Sequence, residues 1–279
     1  MDIPENLRDK WEGLKQYLKE FDSVAVAFSG GVDSTFLLKV AHEVLGDRAV
    51  AVTVQSCFFP EREMDETRLF CQREGIRQLI CESNGLEIEG LAENPKNRCY
   101  LCKKNLLEKM WQAARHENIH CLVEGSNTDD MKDYRPGMQA VSEQQVRSPL
   151  REMNLSKEEI RILSRALLLP TWEKPSFACL ASRFVYGERI TEEKLAMVEK
   201  AEQLLSECGF RQMRVRIHGM SARIEVPATE LKRLVQKDIR ERIVSEFKEY
   251  GFNYVSVDLQ GYRTGSMNEV VMSDTVSDG

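Results

Sequence analysis

Short apolar runs alternate with helical patterns along the first half of the chain. The runs are rich in Val and Ala, and they are separated by segments in which apolar residues recur every three or four positions. Strands are predicted at 24–28, 49–54, 77–80 and 121–123, and helices at 35–45, 61–74 and 103–116. This alternation predicts right-handed crossovers and an α/β fold with a doubly wound, mostly parallel sheet, whose ligands bind at the carboxyl ends of the strands.

The pattern changes near Pro149. Ser156 and Glu159 have the spacing of a capping box that opens a helix running to Leu167, and Thr191 is the predicted N-cap of a helix that ends at Cys208. Strands are then predicted at 213–217, 222–226 and 253–259, with one helix at 228–250. These elements predict a second, smaller α+β domain.

Composition and charge narrow the class of protein. The 279 residues include 39 Lys+Arg and 45 Asp+Glu, a net charge of −6, and 42% are hydrophobic, which excludes disorder as the main state. The first residues lack an apolar leader and no run reaches the roughly 18 apolar residues of a membrane span, so we expect a cytoplasmic protein without membrane contact. Net acidity argues against nucleic acid as the partner.

A glycine loop follows the first predicted strand. It comprises Ser29, Gly30, Gly31, Val32, Asp33 and Ser34. Two glycines between a buried strand and a helix let backbone N–H groups surround an anion, and the helix dipole favours negative charge there. The segment is neither GxGxxG nor a Walker A loop, since it lacks the GxxxxGK pattern. It predicts a phosphate-binding loop that grips pyrophosphate through backbone and hydroxyl groups.

SGGVDS resembles the PP-loop of N-type ATP pyrophosphatases, which split ATP between the α- and β-phosphates. The segment EGSNTDD, at 124–130, resembles the second loop of that superfamily, with Asn127 and Asp129. The resemblance implies that ATP is bound, that Gln55 and Ser56 lie near adenine, and that Lys103 helps to stabilise pyrophosphate. Asp33 and Asp129 are candidate Mg²⁺ ligands, because this ion takes one or two carboxylates together with phosphate oxygens.

Eight cysteines in a chain without a secretion signal do not indicate a disulfide framework. Cys99 and Cys102 form a CxxC pair, and we expect Cys102 to open a helix beside Lys103, an environment that lowers a thiol pKa. Cys179 lies about eighty residues further on. Three thiolates suit either an iron–sulfur cluster with one open iron or a zinc site with an outside ligand. The other five are predicted to be small core residues.

The motifs SGGVDS, NRCYLCKK, EGSNTDD, PSFACLASR and GYRTGSMN, in this order, resemble the LarE family of sulfur transferases over nearly the whole chain. The resemblance implies that ATP adenylates carboxylates of pyridinium-3,5-biscarboxylic acid mononucleotide and that sulfur displaces AMP, in biosynthesis of the nickel-pincer nucleotide of lactate racemase. Some members sacrifice the cysteine that matches Cys179. Others use three cysteines and a 4Fe–4S cluster that receives sulfide from a donor, and the cysteine pattern of this chain favours that version.

The second domain carries a candidate anion site. Alternation puts Arg214 and Arg216 on one strand face, and a hairpin turn would add Arg223 and Glu225 to it. Glu202 falls on an apolar helical stripe and needs a cationic partner, for which Arg214 or Arg216 is predicted. A solvated sheet face with cross-strand ion pairs is the alternative. The family resemblance implies that the nucleotide phosphate of the substrate binds Ser182, Arg183, Glu202, Arg214 and Arg216, in a hexamer.

The family resemblance indicates the role of each predicted domain. We predict a PP-loop domain at 1–170, a linker with Cys179 at 171–189, a small α+β domain for substrate and subunit contacts at 190–265, and a mobile tail at 266–279.

Three other functions fit parts of the sequence: a tRNA-thiolating PP-loop enzyme, an ammonia-using ligase, and a non-catalytic nucleotide-binding or metal-carrying module. Acidity counts against tRNA, and a ligase gives the three cysteines no role. Pyrophosphate release from ATP would distinguish the enzymes, which require it, from a binding module, which gives none.

Overall fold

The computed structural model describes residues 3–132, 136–175 and 178–263. They form two compact units, one from 1–84 with 99–177 and the other from 85–98 with 178–279. The segment 85–98 therefore groups with the second unit. The chain passes from the first unit to the second between residues 177 and 178, inside the predicted linker 171–189. The predicted domain limit at residue 170 stays a prediction. The predicted tail, 266–279, lies outside the described residues.

A four-stranded parallel sheet forms the centre of the first unit, in the order β3-β2-β1-β4. Its strands are Val24–Ala27 (β1), Ala49–Gln55 (β2), Gln78–Glu82 (β3) and Leu122–Val123 (β4). All three strand pairs are parallel, so the chain crosses over between successive strands. The predicted α/β class with a doubly wound parallel sheet is confirmed.

Helices cover both faces of this sheet. They are Arg8–Lys19 (α1), Val32–Leu45 (α2), Glu61–Glu74 (α3), Arg98–His116 (α4), Gly137–Glu143 (α5), Pro149–Glu152 (α6) and Lys157–Ala166 (α7). Val24 and Val26 pack into the apolar cluster that contains α1, α2 and α7, whereas Val50 and Val52 pack into the cluster that contains α4 and α5. The period of two in the strands thus divides the core into two layers.

The prediction that Cys102 opens a helix is wrong. α4 begins at Arg98, whose N–H donates to the carbonyl of Pro95 at 3.0 Å. The first turn therefore forms directly after Pro95, and both cysteines of the CxxC pair lie inside the helix. The predicted capping box of α7 is confirmed, with Ser156 and Glu159 bonded reciprocally.

The second unit packs helices on a three-stranded sheet in the order β5-β6-β7. Its elements are Glu192–Glu207 (α8), Arg214–His218 (β5), Ser221–Glu225 (β6), Leu231–Leu234 (α9), Lys237–Glu249 (α10) and Tyr254–Val257 (β7). β5 and β6 are antiparallel, and β7 is parallel to β6. Thr191 caps α8 by accepting from the N–H of Lys194, as predicted.

The single helix predicted at 228–250 is wrong. Gln236 is extended, with φ −59° and ψ 143°, and separates α9 from α10. Arg233 at the end of α9 donates to the carbonyls of Cys208 and Gly209, which lie beyond the end of α8. This tertiary contact holds α9 against the end of α8 and overrides the local helical pattern.

Within the described ranges, no helix has both the length and the apolar character needed to cross a membrane.

Candidate active site

The glycine loop lies between the carboxyl end of β1 and the start of α2, as the sequence predicts. Gly30 has φ +70°, and Gly31 is the N-cap of α2 with no side-chain cap. The first N–H groups of a helix have no intrahelical acceptor, so the loop presents donors and the positive end of the dipole. The Ser29 and Ser34 hydroxyls lie 3.1 Å apart and add two further polar groups.

The second loop packs directly against the glycine loop. A Cβ atom at Gly125 would lie 3.0 Å from the backbone nitrogen of Ser34 and 3.2 Å from the Cβ of Asp33. Only glycine permits this approach without displacement of the neighbouring backbone. The close contact brings Asn127 next to the helix start, where its Nδ2 lies 3.4 Å from Oδ1 of Asp33.

Lys157 links the two predicted magnesium ligands. Its ammonium group forms an ion pair with Asp33, and its backbone N–H donates to Oδ2 of Asp129 at 2.9 Å. Burial raises the pKa of Asp33, and the adjacent Lys157 opposes that shift. Asn127 completes the arrangement by accepting from the Asp129 N–H at 2.9 Å. Carboxylates, an amide and a cation therefore converge at the N-terminus of α2.

A buried carboxylate underlies the second loop. Glu124 accepts from the hydroxyls of Ser148 and Ser126, at 2.6 and 2.8 Å, and from the N–H of Ser126 at 3.1 Å. The ammonium group of Lys103, the residue after Cys102, lies 3.4 Å from the Glu124 carboxylate. Lys103 and these hydrogen bonds lower the pKa of Glu124 against the opposing effect of burial. The pair attaches the cysteine-bearing turns of α4 to the second loop.

A second lysine contacts the glycine loop from the other side. Lys174 donates to the carbonyl of Gly30 at 3.1 Å and forms ion pairs of 2.6 Å with Glu63 and Glu66. Arg161 in turn binds the carbonyl of Lys174 at 2.8 Å. The segment before Pro175 is thereby tied to the loop.

The predicted adenine position lies at the end of β2. The Oε1 atom of Gln55 accepts from Arg68 at 3.2 Å. Ser56 is buried, and its hydroxyl has no hydrogen-bond partner among the described residues. A ligand with a polar ring edge would supply that partner.

The predicted sulfur residues divide between the two units. Cys99 is exposed and Cys102 half-buried, one helical turn apart in α4. Cys179 is half-buried in the second unit, where it precedes the 3₁₀ turn Leu180–Arg183. Among the described residues, the structure shows no set of three or more His, Cys, Asp or Glu side chains arranged to hold a metal ion. Of the five other cysteines, all predicted to be core residues, only Cys71 is buried, and burial raises its pKa to about 12. The remaining four are half-buried: Cys57, Cys81, Cys121 and Cys208.

The predicted partner of Glu202 is wrong. Its carboxylate binds Arg183 rather than Arg214 or Arg216, through two hydrogen bonds of 2.9 and 2.8 Å. Arg183 has no exposed side-chain surface and Glu202 is 3% exposed. Sequence spacing missed this pair because the turn before Phe184 folds back onto α8 and β5, a contact that strand and helix periodicity do not encode.

The four charged residues of the β5–β6 hairpin do share one face, as predicted. Arg214 lies opposite Glu225, and Arg216 lies opposite Arg223. Arg216 binds Glu225 through two hydrogen bonds of 3.0 Å, and Arg223 reaches the same carboxylate at 3.1 Å. The alternative of cross-strand ion pairs is therefore confirmed only for Arg216 with Glu225, because Arg223 pairs with Glu225 along β6 itself. The predicted solvation of this face is wrong at that pair, since Arg216 and Glu225 are both buried.

Arg214 has different surroundings. Its guanidinium group lies 5.3 Å from the centre of the Tyr262 ring and donates to the carbonyl of Met213 at 2.7 Å. Burial lowers its pKa, and the nearby positive charge of Arg183 lowers it further. The carboxylate of Glu202 opposes these two effects.

Sequence reasoning did not identify Lys157 or Lys174. Lys157 follows the predicted N-cap Ser156, and nothing in the spacing indicated that this helix start faces Asp33. The one available signal was general: a lysine at a helix N-terminus is unfavourable for the dipole, and such a residue needs a nearby carboxylate.

Comparison with known proteins adds to this geometry. A family model described as NAD synthase matches residues 6–123. An uncharacterized protein of Synechocystis is 42% identical over 265 residues, 95% of this chain and 99% of that protein. The pyridinium-3,5-bisthiocarboxylic acid mononucleotide synthase of Lactiplantibacillus plantarum is 34% identical over 266 residues, 95% of this chain and 96% of that protein. One component of the glutamine-hydrolyzing GMP synthase from Methanococcus maripaludis is 28% identical over 216 residues, 70% of this chain and 67% of that protein.

The parallel sheet, the glycine loop after β1 and these matches define an ATP-using enzyme of the PP-loop class. The chain belongs, more narrowly, to the family of the pyridinium-3,5-bisthiocarboxylic acid mononucleotide synthase.

Proposed function

We propose that this protein is an ATP-dependent sulfur transferase that converts carboxylates of pyridinium-3,5-biscarboxylic acid mononucleotide into thiocarboxylates. The name of the Lactiplantibacillus plantarum relative supports this substrate class. One structural observation carries the proposal: Asp33, Asn127, Asp129 and Lys157 converge where the glycine loop opens α2. That arrangement suits a nucleotide whose pyrophosphate leaves as an anion.

In the first step a substrate carboxylate oxygen attacks the α-phosphorus of ATP. The new oxygen–phosphorus bond forms as the bond to pyrophosphate breaks, so negative charge grows on the leaving group. The N–H groups at the start of α2, the Ser29 and Ser34 hydroxyls and the ammonium group of Lys157 are the donors that stabilise this charge. Lys103, next to Glu124, lies on the adjoining helix. The buried Ser56 hydroxyl supports an adenine contact beside Gln55.

A magnesium ion fits the chemistry of this site. Asp33 and Asp129 offer hard carboxylate oxygens, which Mg²⁺ prefers together with phosphate oxygens. In the structure Lys157 contacts both of these residues. We propose that they hold the ion, which neutralises pyrophosphate charge when bound.

In the second step sulfur attacks the acyl carbon of the adenylate. A carbon–sulfur bond forms, the bond from carbon to the AMP oxygen breaks, and AMP leaves. We propose that Cys99, Cys102 and Cys179 are the sulfur-delivering residues and hold a 4Fe–4S cluster. The ligand type fits, since thiolates bind such clusters, and the i, i+3 spacing in α4 puts two of them on one helical side. When bound, the cluster supplies a sulfide that is nucleophilic at neutral pH.

The phosphate of the substrate mononucleotide is proposed to bind the second unit. Of the five residues predicted from sequence, Arg214 is supported by its place on the charged face of the β5–β6 hairpin, opposite Glu225. Ser182, which directly precedes Arg183 in the chain, remains a proposed contact of the phosphate. Assembly into a homo-oligomer, with a hexamer as the expected state, also remains a proposal.

The test is pyrophosphate release from ATP in the presence of magnesium and pyridinium-3,5-biscarboxylic acid mononucleotide. We expect release that depends on the mononucleotide and is lost in Asp33→Asn. Release without the mononucleotide would contradict this substrate, and unchanged release in Asp33→Asn would contradict the role of Asp33. Iron and acid-labile sulfide measured on anaerobically purified protein test the cluster separately. About four irons per chain, lost in Cys99→Ala, are expected for a 4Fe–4S cluster.

A further inference from the structure

Two buried arginine–glutamate pairs surround the turn that carries Cys179. The first is Arg183 with Glu202, and the second is Arg216 with Glu225. Each guanidinium group binds its carboxylate through two hydrogen bonds of 2.8 to 3.0 Å. Fork-to-fork pairing of this kind fixes the plane and direction of an arginine side chain.

The remaining nitrogen of each arginine binds the backbone of the turn. Nη1 of Arg183 donates to the carbonyls of Ala178 and Cys179, at 2.6 and 3.0 Å. Nη1 of Arg216 donates to the carbonyl of Ser182 at 2.7 Å. The carbonyls before and after Leu180 are thus held by two side chains that are themselves fixed by buried carboxylates.

Glu202, which holds Arg183, also binds the backbone of the sheet. Oε1 of Glu202 accepts from the backbone N–H of Val215 in β5 at 2.9 Å, which joins α8 to the sheet. Leu180 and Ala181 are buried, while Cys179 keeps part of its surface exposed. The turn is therefore anchored by side chains on both sides of Leu180, next to a cysteine that is only half-buried.

We infer that Arg183 and Arg216 are positioning residues for Cys179, each held by its glutamate, and that their guanidinium groups fix the backbone of the turn that carries it. This inference rests on the proposed role of Cys179 in sulfur transfer. Buried charge is costly unless it is paired, so two such pairs beside one turn indicate a demand for rigidity there.

The test replaces one pair by apolar side chains, Arg183→Met with Glu202→Met, because removal of both charges avoids an unpaired buried ion. We expect the backbone amides of Ser182 and Phe184, which bond to Cys179 and Ala181 in the native turn, to exchange with deuterium about tenfold faster or more. The kcat of thiocarboxylate formation should fall by about 10- to 100-fold, because small misplacements of reacting groups are that costly. The KM values for ATP and mononucleotide should change little.

The matched control removes another ion pair of the same unit, Lys194 with Glu188, which lies 2.6 Å apart and does not contact the turn. Lys194→Met with Glu188→Met should keep the exchange of the turn and the kcat of the wild type. A raised KM for the mononucleotide with unchanged kcat in Arg183→Met/Glu202→Met would instead assign these residues to phosphate binding and overturn the inference. Unchanged exchange of the turn would overturn it as well.

Wild-type protein provides a test that needs no variant. The amides of Ser182 and Phe184 should exchange as slowly as those in the middle of α8, and exchange at the rate of an open loop would refute the inference. Failure of the proposed function gives a different result, since wild-type protein would then form no thiocarboxylate whatever the exchange of the turn. Failure of the proposed role of Cys179 alone would leave sulfur transfer intact in Cys179→Ala.

Discussion

The contact between the glycine loop and the second loop makes Gly125→Ala an informative substitution. The added Cβ would lie 3.0 Å from the Ser34 nitrogen and 3.2 Å from the carbonyl carbon of Asp33, against an ordinary contact of 3.4–4 Å. Both neighbours are backbone atoms of α2, so neither can rotate away. The two loops must separate by about 0.4 Å, the difference between 3.4 and 3.0 Å, and overpacking of this kind costs about 1–3 kcal/mol.

The larger effect is expected on the reaction. Asn127 and Asp129 are fixed by the second loop, so the separation displaces them from Asp33 and from the N–H groups of α2. Since a displacement of about 1 Å can reduce a rate about 100-fold, we expect the rate of pyrophosphate release to fall by about tenfold or more. The assay follows pyrophosphate release under saturating ATP, with thermal unfolding measured on the same preparation.

Gly13→Ala is the matched control. The same added atom in α1 would lie 3.7 Å from the sulfur of Met153, an ordinary contact. Alanine is favoured over glycine inside a helix by about 1 kcal/mol, so this variant should be as stable as the wild type or more stable, with the same rate. Wild-type rates in Gly125→Ala would refute the conclusion that the two loops must meet for adenylation.

Three further predictions address other contacts. Lys157→Met removes the cation beside Asp33 and should lower the rate of pyrophosphate release about tenfold or more. The control is Lys10→Met, which breaks a 2.7 Å ion pair with Glu159, a residue of the same helix as Lys157, and should leave the rate unchanged. Equal rates in both variants would contradict the role of Lys157. Cys179→Ala should lose sulfur transfer but keep pyrophosphate release, and full transfer would exclude Cys179 as a sulfur residue. Hydrogen bonds from Arg147 lower the pKa of Glu152 from 4.5 to about 2 in the folded protein, so its stabilising contribution is present above pH 4.5 and is lost as the pH falls towards 2. Chemical denaturation at several pH values measures the free energy of unfolding, which should fall less over this pH range in Glu152→Gln than in the wild type. The same fall in both proteins would assign the acid sensitivity to other carboxyl groups.

The repeating patterns of the sequence predicted most of the fold. The strand that ends before Ser29 and the helix that follows it are local features, because their apolar periodicity reflects burial on a sheet. The same local rules predicted the caps at Ser156 and Thr191. They failed at Gln236, where a contact between Arg233 and the end of α8 separates two helices.

The site was predictable only where one segment carries it. The glycine loop combines its conformation and its chemistry within six residues, so the sequence was sufficient to identify it. Lys157 and the pairing of Arg183 with Glu202 depend on segments distant in the chain that meet after folding. Charge balance predicted that Glu202 needs a cation, but the choice among three arginines was decided by the turn after Cys179.

The central claim is ATP-dependent replacement of oxygen by sulfur on a carboxylate, and mass spectrometry of the small-molecule product tests it most directly. The protein would be incubated anaerobically with ATP, magnesium, sulfide and pyridinium-3,5-biscarboxylic acid mononucleotide. We predict a product heavier by the difference between sulfur and oxygen for each carboxylate converted, formed together with AMP and absent when ATP is omitted. Recovery of the mononucleotide at its original mass, with ATP consumed, would contradict the claim.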